Sequence, residues 1–279
     1  MKKVKVLAPA KVNFTLDISG VENGFHNICS LVNTVSICDT IVVKKRKDNE
    51  IRLFSKGVDA GCSLEKNNAY KTAVEFVKEY GVSGVDIHLK KRIPVGGGLG
   101  GSSADVAGVL NAMKQLFDVK DDLSYIANRL GSDTAYLING GWAVIQGRGE
   151  IITPLAIKTQ FYLVMIKEDS GVSAGECYKA FDKLEKTDAP TTFSAVDCLT
   201  KGDLKGFYNS LKNDLYAPAK TFVPNIENNL NALKEYAPAF MTGSGSITVG
   251  VFLDKKIRDK AYKDLRRRFG NKVLKATTV

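Results

Sequence analysis

The sequence is poor in the residues from which metal centres and disulfide frames are built. Its 279 residues include only two histidines, His26 and His88, too few for a histidine-rich metal centre. The five cysteines, Cys29, Cys38, Cys62, Cys177 and Cys198, are odd in number and form no Cys-x-x-Cys pair. They read as reduced thiols of a cytoplasmic protein, and no residue is assigned to a metal. No uncharged apolar run approaches the ~20 residues that a membrane span requires, so no membrane partner is expected. The start, Met1-Lys2-Lys3, mimics a secretory n-region, but Lys5 and Lys11 leave only Val6 to Ala10 as an apolar stretch. That is too short for the core of a signal peptide. Low-complexity segments, linkers and internal repeats are missing as well.

What is present is an ordinary globular composition, 44% apolar and 25% charged. A chain of this length buries a substantial core, in one large domain or two lobes. The formal charge of +10 invites a nucleic-acid reading. Much of the excess lies in Lys44-Lys45-Arg46-Lys47 and in a C-terminal stretch with Lys255, Lys256, Arg258, Lys260, Lys263, Arg266, Arg267 and Arg268. In the latter, Ile257, Ala261, Leu265 and Phe269 recur at helical spacing, so the cations form the wet faces of an amphipathic helix. No nucleic-acid partner is expected. A modest positive field suits polyanionic small substrates such as nucleotides equally well.

Hydrophobic periodicity sets the element order. Val12, Phe14, Leu16 and Ile18 alternate with Lys11, Asn13, Thr15 and Asp17, which predicts a half-buried strand with Lys11 on its polar face. Strand-like runs follow at 31–37, 40–44 and 50–54, then a helix over 69–80 capped by Asn67 or Asn68. Val85, Ile87 and Leu89 alternate again and lead into Lys91-Arg92-Ile93-Pro94. Helical periodicity resumes over 104–117 and 123–129, with a strand at 142–146. The second half holds strands at 161–166 and 247–253, a helix over 174–184 and a mostly helical region over 191–236. Strands cluster instead of alternating strictly with helices, which favours α+β. The boundary is set near 153–158, giving domains 1–155 and 156–279.

The most informative segment is Pro94-Val95-Gly96-Gly97-Gly98-Leu99-Gly100-Gly101-Ser102-Ser103-Ala104, with five glycines among the six residues Gly96 to Gly101. Lacking Cβ atoms, these residues let backbone N–H groups approach a ligand. Set between a strand and a helix, they present amides and a helix N-terminus, a ready anion site. Ser102 and Ser103 add hydroxyls able to bond the helix backbone, a phosphate or Mg²⁺. A tight turn with a serine cap is the structural alternative. The Walker A loop fails because Ser102 stands where it needs lysine. Gly96-x-Gly98-x-x-Gly101 matches the dinucleotide fingerprint, but Asp121 and Asp122 open another helix where a second strand should end. Protein-kinase signatures are absent.

Three segments in order resemble the GHMP small-molecule kinases (galactose, homoserine, mevalonate and phosphomevalonate kinases). They are Pro9-Ala10-Lys11-Val12-Asn13, Pro94 to Ala104, and Met241-Thr242-Gly243-Ser244-Gly245-Ser246. The resemblance spans nearly the whole chain. Ala8 to Leu16, Asn23-Gly24-Phe25-His26, Gly131-Ser132-Asp133, Gly147-Arg148-Gly149-Glu150, Gly171-Val172-Ser173 and Asn213-Asp214-Leu215 are similar to the branch that phosphorylates a cytidine-diphosphate-linked polyol on the non-mevalonate route to isoprenoid precursors. Three positions depart from that branch. Phe25 replaces a tyrosine, Thr134-Ala135 replaces Val-Pro, and the serines of the glycine segment are displaced by one position.

The resemblance implies a two-lobed fold, with an N-terminal lobe like ribosomal protein S5 domain 2 and a ferredoxin-like C-terminal lobe. It implies ATP and Mg²⁺ as cofactors, with Pro94 to Ala104 holding the phosphates and Asn67 or Asn68 near the adenine. Asp133 becomes the general base, and Lys11 its partner in stabilising charge on the transferring phosphoryl group. Without the resemblance, Asp133 reads as a helix or turn cap and Lys11 as a solvated strand lysine. Asn13, Phe25, His26, Tyr178, Gly243 and Ser244 become the polyol-binding residues, with Phe25 and Tyr178 as stacking rings and His26 at the base edge. Core packing is the alternative for each ring. The expected partner is the small-molecule substrate alone, with the chain a monomer or homodimer. Another GHMP kinase, of mevalonate or homoserine type, is the nearest rival reading. The Phe25-His26 pair argues against it, because those substrates carry no base to stack. A nucleic-acid binder on an S5-like lobe is the rival from another class, and it has no need of a carboxylate at Asp133.

Overall fold

Alternation over residues 11–18 predicted one half-buried strand, and the structure divides that stretch in two. The computed structural model describes residues 2–59, 61–184 and 189–279. Strand β1 (Lys3–Asn13) ends before Phe14, and β2 (Asp17–Glu22) resumes after a break. The polar face is not wet: Lys11, Asn13, Thr15 and Asp17 are buried like their apolar neighbours. Polar groups tolerate this only when partnered. Asn13 Nδ2 donates to Ser30 Oγ at 2.7 Å, Thr15 Oγ1 lies 2.7 Å from Thr192 Oγ1, and Asp17 accepts from the Thr191 and Thr192 amides.

The chain forms two compact units. Unit 1 comprises Met1–Lys11, Ile37–Val95 and Gly100–Gly140; unit 2 comprises Val12–Ser36, Gly96–Leu99 and Gly141–Val279. The units therefore interleave along the sequence. Strand β3 (Phe25–Lys45) runs continuously where two runs were expected, and it contributes to both.

In unit 1, β4 (Ile51–Gly57) pairs in parallel with β5 (Val85–Lys91), which pairs antiparallel with the C-terminal part of β3 from Thr40↔Lys90 to Lys45↔Val85. Parallel neighbours need a crossover, and α1 (Asn68–Tyr80) supplies it. Asn67 caps α1, accepting from the Ala69 amide at 2.9 Å, and Gly81 ends it in the left-handed region. Helices α2 (Gly101–Phe117), α3 (Ser124–Leu130) and α4 (Thr134–Asn139) complete the unit. Nearly every residue of α2 from Ala104 to Leu116 is buried. Its apolar circumference makes it a central helix, not an amphipathic cover. Its first turn springs directly from the glycine segment.

In unit 2, β2 and the N-terminal part of β3 form a hairpin closed by Asn23-Gly24, with φ of 51° and 79°. Positive φ at both turn residues is the type I′ geometry that Asn-Gly favours. The turn sets Phe25 and His26 at the start of β3. Strand β6 (Ala143–Gly147) pairs with β3, and β7 (Ile151–Pro154) with β6.

A separate antiparallel sheet holds β8 (Tyr162–Ile166), β9 (Ala239–Met241), β10 (Thr248–Phe252) and β11 (Val273–Thr277) in the order β11-β8-β10-β9. That order is the ferredoxin-like one. Helix α10 (Lys255–Phe269) connects β10 to β11. Between β8 and β9 lie α5 (Ala174–Phe181), α6 (Thr192–Lys201), α7 (Leu204–Asn209), α8 (Tyr216–Phe222) and α9 (Asn225–Lys234). Phe14 centres an aromatic cluster, with Trp142 at 4.8 Å, Phe240 at 5.5 Å, Phe207 at 6.0 Å and Phe161 at 6.1 Å between ring centroids.

The amphipathic reading of α10 needs one correction. Ala261 and Leu265 are buried as expected, but Ile257 is 57% exposed and Arg258 is buried. The Arg258 guanidinium donates to the Ala276 carbonyl at 2.8 Å and lies over the Tyr162 ring, so it is a packing group and not part of the wet face. Among the described residues, no helix is long and apolar enough to cross a membrane.

Candidate active site

In unit 1, Gly100 is the N-cap of α2, with φ of 68°. The N–H groups of the first helical turn have no intrahelical acceptors, and no acidic side chain occupies that turn. Lys11, at the end of the unit's β1 segment, and Asp133, just before α4, meet there. Lys11 Nζ lies 3.4 Å from Asp133 Oδ2. A Cβ on Gly100 would stand 3.1 Å from Lys11 Cγ and 3.4 Å from Asp133 Oδ2. Helix start, ammonium and carboxylate thus converge at a position that only glycine leaves open.

This geometry counts against the structural alternatives for Lys11 and Asp133. Lys11 is 5% exposed, so it is not a solvated strand lysine. Asp133 occupies the N-cap position of α4, yet its side chain makes no capping hydrogen bond. Its carboxylate is turned to Lys11 instead. Asn68 Nδ2 donates to Ser102 Oγ at 2.8 Å, tying α1 to the first turn of α2, while Asn67 is used as the α1 cap. Thr134, one of the departures, is buried with its hydroxyl unpartnered, and a Cβ on Gly131 would meet both Thr134 Oγ1 and Ser103 Oγ at 2.9 Å.

The donor set suits phosphate: backbone amides, a helix N-terminus and a buried ammonium. It does not suit a resident metal. Among the described residues, no group of three or more His, Cys, Asp or Glu side chains is placed to hold an ion. Mg²⁺ is commonly held by one or two carboxylates together with substrate phosphates, so an ion here would come with the nucleotide.

In unit 2, the first part of the glycine segment has a different occupation. A Cβ on Gly98 (φ 80°) would lie 2.3 Å from the Thr242 carbonyl oxygen, and one on Gly243 would lie 2.7 Å from the Gly98 carbonyl oxygen. The second and third of the family's segments therefore pack backbone to backbone, Gly98 against Thr242 and Gly243. Asn213 steadies the third, donating to the Met241 and Gly243 carbonyls at 2.7 and 2.8 Å. Asn13 contributes its backbone amide to Thr242 Oγ1 at 2.9 Å. Ser244 is half-buried in this turn. Sequence reasoning gave Gly98 to phosphate approach alone; its packing against Thr242 is an independent reason for glycine there.

Phe25, His26 and Tyr178 also lie in unit 2. Phe25 is 53% exposed, and the Arg148 guanidinium sits 4.7 Å from its ring centroid. The His26 and Tyr178 rings stack at 4.7 Å with 23° between planes, and His26 Nε2 donates to Asp182 Oδ1 at 2.7 Å. The two rings expected as platforms for one base each have a protein partner, Arg148 over Phe25 and His26 against Tyr178. Asp182 was missed. It closes α5 with no local pattern to mark it, and only the fold brings it to His26.

Two family models match the chain: the GHMP kinases N terminal domain over residues 67–145 and the GHMP kinases C terminal model over residues 195–271. The chain is 34% identical to the 4-diphosphocytidyl-2-C-methyl-D-erythritol kinase of Clostridium beijerinckii, over 95% of this chain and 97% of the relative. It is also 34% identical to the Cutibacterium acnes enzyme of the same name, over 92% of this chain and 87% of that one. A crystal structure of 4-(cytidine 5'-diphospho)-2C-methyl-D-erythritol kinase superposes with a TM-score of 0.83 at 29% identity, covering 98% of both chains. Homoserine kinase from Cytophaga hutchinsonii shares the fold at a TM-score of 0.75 and 18% identity, covering 99% of this chain and 94% of that one.

Proposed function

The chain belongs to the GHMP kinases, and from that membership we propose that it transfers the γ-phosphoryl group of ATP to the position-2 hydroxyl of 4-diphosphocytidyl-2-C-methyl-D-erythritol. It is a small-molecule kinase, and the reaction belongs to non-mevalonate isoprenoid precursor synthesis. The observation that carries the reading is the Lys11–Asp133 pair at the glycine-capped start of α2, a buried ammonium and a non-capping carboxylate 3.4 Å apart.

Phosphoryl transfer passes through a loose transition state, so positioning and charge neutralisation supply most of the catalysis. The amides at the start of α2 bind phosphate oxygens. Lys11 stabilises negative charge on the phosphoryl group as it transfers and holds the Asp133 carboxylate in place. Asp133 accepts the proton of the acceptor hydroxyl as its oxygen attacks phosphorus. Mg²⁺, when bound with the nucleotide, supplies further neutralisation of phosphate charge. Asn68 orients Ser102 at the helix start. On the acceptor side, Phe25 and His26 with Asn13, Tyr178, Gly243 and Ser244 form the proposed polyol-binding set. Of these, Phe25 is proposed to stack on a pyrimidine and His26 to contact its edge, in competition with Arg148 and Asp182.

The division into an N-terminal lobe, 1–155, and a C-terminal lobe, 156–279, is part of the proposal, supported by family models that match on either side of it. A cytoplasmic setting is also proposed, in keeping with five cysteines of which none forms a disulfide among the described residues. The test is an assay of purified protein with Mg-ATP against 4-diphosphocytidyl-2-C-methyl-D-erythritol, mevalonate and homoserine. Turnover of the first is expected. Turnover of mevalonate or homoserine with none of the cytidine-linked polyol would reject the substrate and leave the kinase.

A further inference from the structure

A loop with five glycines in six residues does not fix its own shape, because glycine gives up more backbone freedom on ordering than any other residue. Something outside the loop must set where its amides stand. In unit 1 three charged side chains that the mechanism does not use are gathered at the two stems of the segment. Asp39, on β3, accepts from the Arg92 amide at 2.5 Å and the Ile93 amide at 2.9 Å through Oδ1. These are the last two residues before Pro94. Asp39 Oδ2 accepts from Lys91 Nζ at 2.6 Å, and the same ammonium donates to Asp105 Oδ2 at 2.5 Å. Asp105 lies on α2, just past Ala104. The side chains of Asp39, Lys91 and Asp105 are 0%, 3% and 8% exposed. A Cβ on Gly101 would stand 3.0 Å from Ile93 Cγ2 and 3.9 Å from Lys91 Nζ, so the start of α2 rests on this cluster.

We propose that Asp39, Lys91 and Asp105 are positioning residues, a buried clasp that joins the entry strand of the glycine segment to its exit helix and sets nucleotide affinity. The proposal rests on the reading of Gly96–Ala104 as the phosphate site. Stability alone does not account for the cluster. Buried ion pairs are often no more stabilising than apolar side chains of similar volume. Here Asp105 Oδ1 is buried without a hydrogen-bond partner, which adds to the cost of burying the cluster. Burial lifts the Asp105 carboxyl to about 7 against the pull of Lys91, with the Asp39 charge adding to the rise. Burial works against the Lys91 ammonium too, but the two carboxylates outweigh it and its pKa rises. What the trio does supply is directional bonding, two backbone amides and one helix held to a single ammonium–carboxylate node. A binding constellation keeps its geometry only when such supporting groups are locked.

The test uses the full chain and separates affinity from turnover. The double variant Lys91→Met with Asp105→Leu removes both ends of the Lys91–Asp105 hydrogen bond and leaves Asp39 bonded to its two amides. Asp105→Asn is the milder companion should the double variant fail to fold. Steady-state kinetics with Mg-ATP and the cytidine-linked polyol, and calorimetry with ATP, are measured for each. The expected result is a rise in ATP KM and Kd of about tenfold in the double variant and a few-fold in Asp105→Asn. That scale is set by losing a charge-assisted bond. Turnover at saturating ATP and the polyol KM should stay within about threefold. Unchanged ATP affinity in a folded variant, or a loss confined to turnover, would overturn the clasp. Wild-type protein that binds no ATP would overturn the phosphate-site reading itself, and the clasp with it.

Discussion

Replacing Gly100 with alanine separates the ligand site from simple backbone strain. At φ of 68° the new Cβ meets Lys11 Cγ at 3.1 Å, Lys11 Cε at 3.3 Å and Asp133 Oδ2 at 3.4 Å. Left-handed backbone costs a non-glycine residue about 1–2 kcal/mol, partly offset by about 0.4–1 kcal/mol from reduced freedom in the unfolded chain. The net loss, about 1 kcal/mol, lowers Tm by roughly 2–4 °C in a protein near this size. The steric term is different in kind. Lys11 must retreat by a few tenths of an ångström, and the Asp133 carboxylate moves with it. Misplacement on the order of 1 Å can cost 10²-fold in rate, so a smaller shift should lower kcat about tenfold. Gly202 is the control: its φ is 76°, it ends α6, and a methyl group placed there would find nothing within 4 Å. Gly202→Ala should lose similar Tm and keep kcat within about twofold. The assay is ADP release with Mg-ATP and the cytidine-linked polyol, alongside thermal melts. Equal kcat in the two variants would refute the argument that Lys11 and Asp133 act from beside Gly100.

Three further outcomes follow from the same geometry. Asp133→Asn should lower kcat about 10²–10⁴-fold with ATP affinity retained, and adding Lys11→Met should cost less than the product of the single losses; near wild-type turnover in Asp133→Asn would reject the base. Phe25→Ala should weaken the polyol about 5- to 150-fold, the range of base–aromatic stacking, and leave ATP KM unchanged; a matching change in ATP KM would instead indicate disturbed folding. Asp105 carries a proton in the folded chain up to about pH 7, while an unfolded carboxylate has lost it by about pH 4 to 5. The folded state therefore binds more protons across that window, and stability falls as pH rises through it. Asp105→Asn should flatten the Tm decline between about pH 5 and pH 8; an identical decline in both proteins would show that another group is responsible.

Much of this was legible in the sequence, and the boundary of legibility has a physical cause. Periodicity located α1, with its cap narrowed to Asn67 or Asn68, together with β5 and most of α2, because each pattern is local. Residues 11–18 misled because alternation cannot report a second burying layer. Thr15 and Asp17 look solvent-facing, but their partners are Thr192 and the Thr191 and Thr192 amides, over 170 residues away. Short β9 and β11 escaped because strand length and composition gave too little signal, although tertiary pairing with β10 and β8 defines them. Lys11 and Asp133 were legible through motif resemblance alone. Asp39 was not, since a lone carboxylate within a long strand carries no sign that it will meet Lys91 and the Ile93 amide.

Motif residues do two kinds of work, and the structure lets them be told apart. Gly100 is held open beside an ammonium and a carboxylate, where a ligand can use the space. Gly98 has its space filled by the Thr242 and Gly243 backbone and Gly243 by the Gly98 backbone, so close packing by itself requires glycine at both. Asn213 is spent on the Met241 and Gly243 carbonyls, and the Asn13 side chain on Ser30. The third glycine-rich turn is therefore held by residues from two other motifs, the Asn213 side chain and the Asn13 amide, whatever it touches in addition. Loss of a motif residue thus has two physical signatures. Where the residue supports backbone, stability and both substrates' KM values should move together. At Gly100, Lys11 and Asp133 turnover should move first, because the proposed mechanism puts them at the reacting groups. Matching motifs in a sequence counts both kinds alike; only the distances around each Cβ position separate the scaffold from the chemistry.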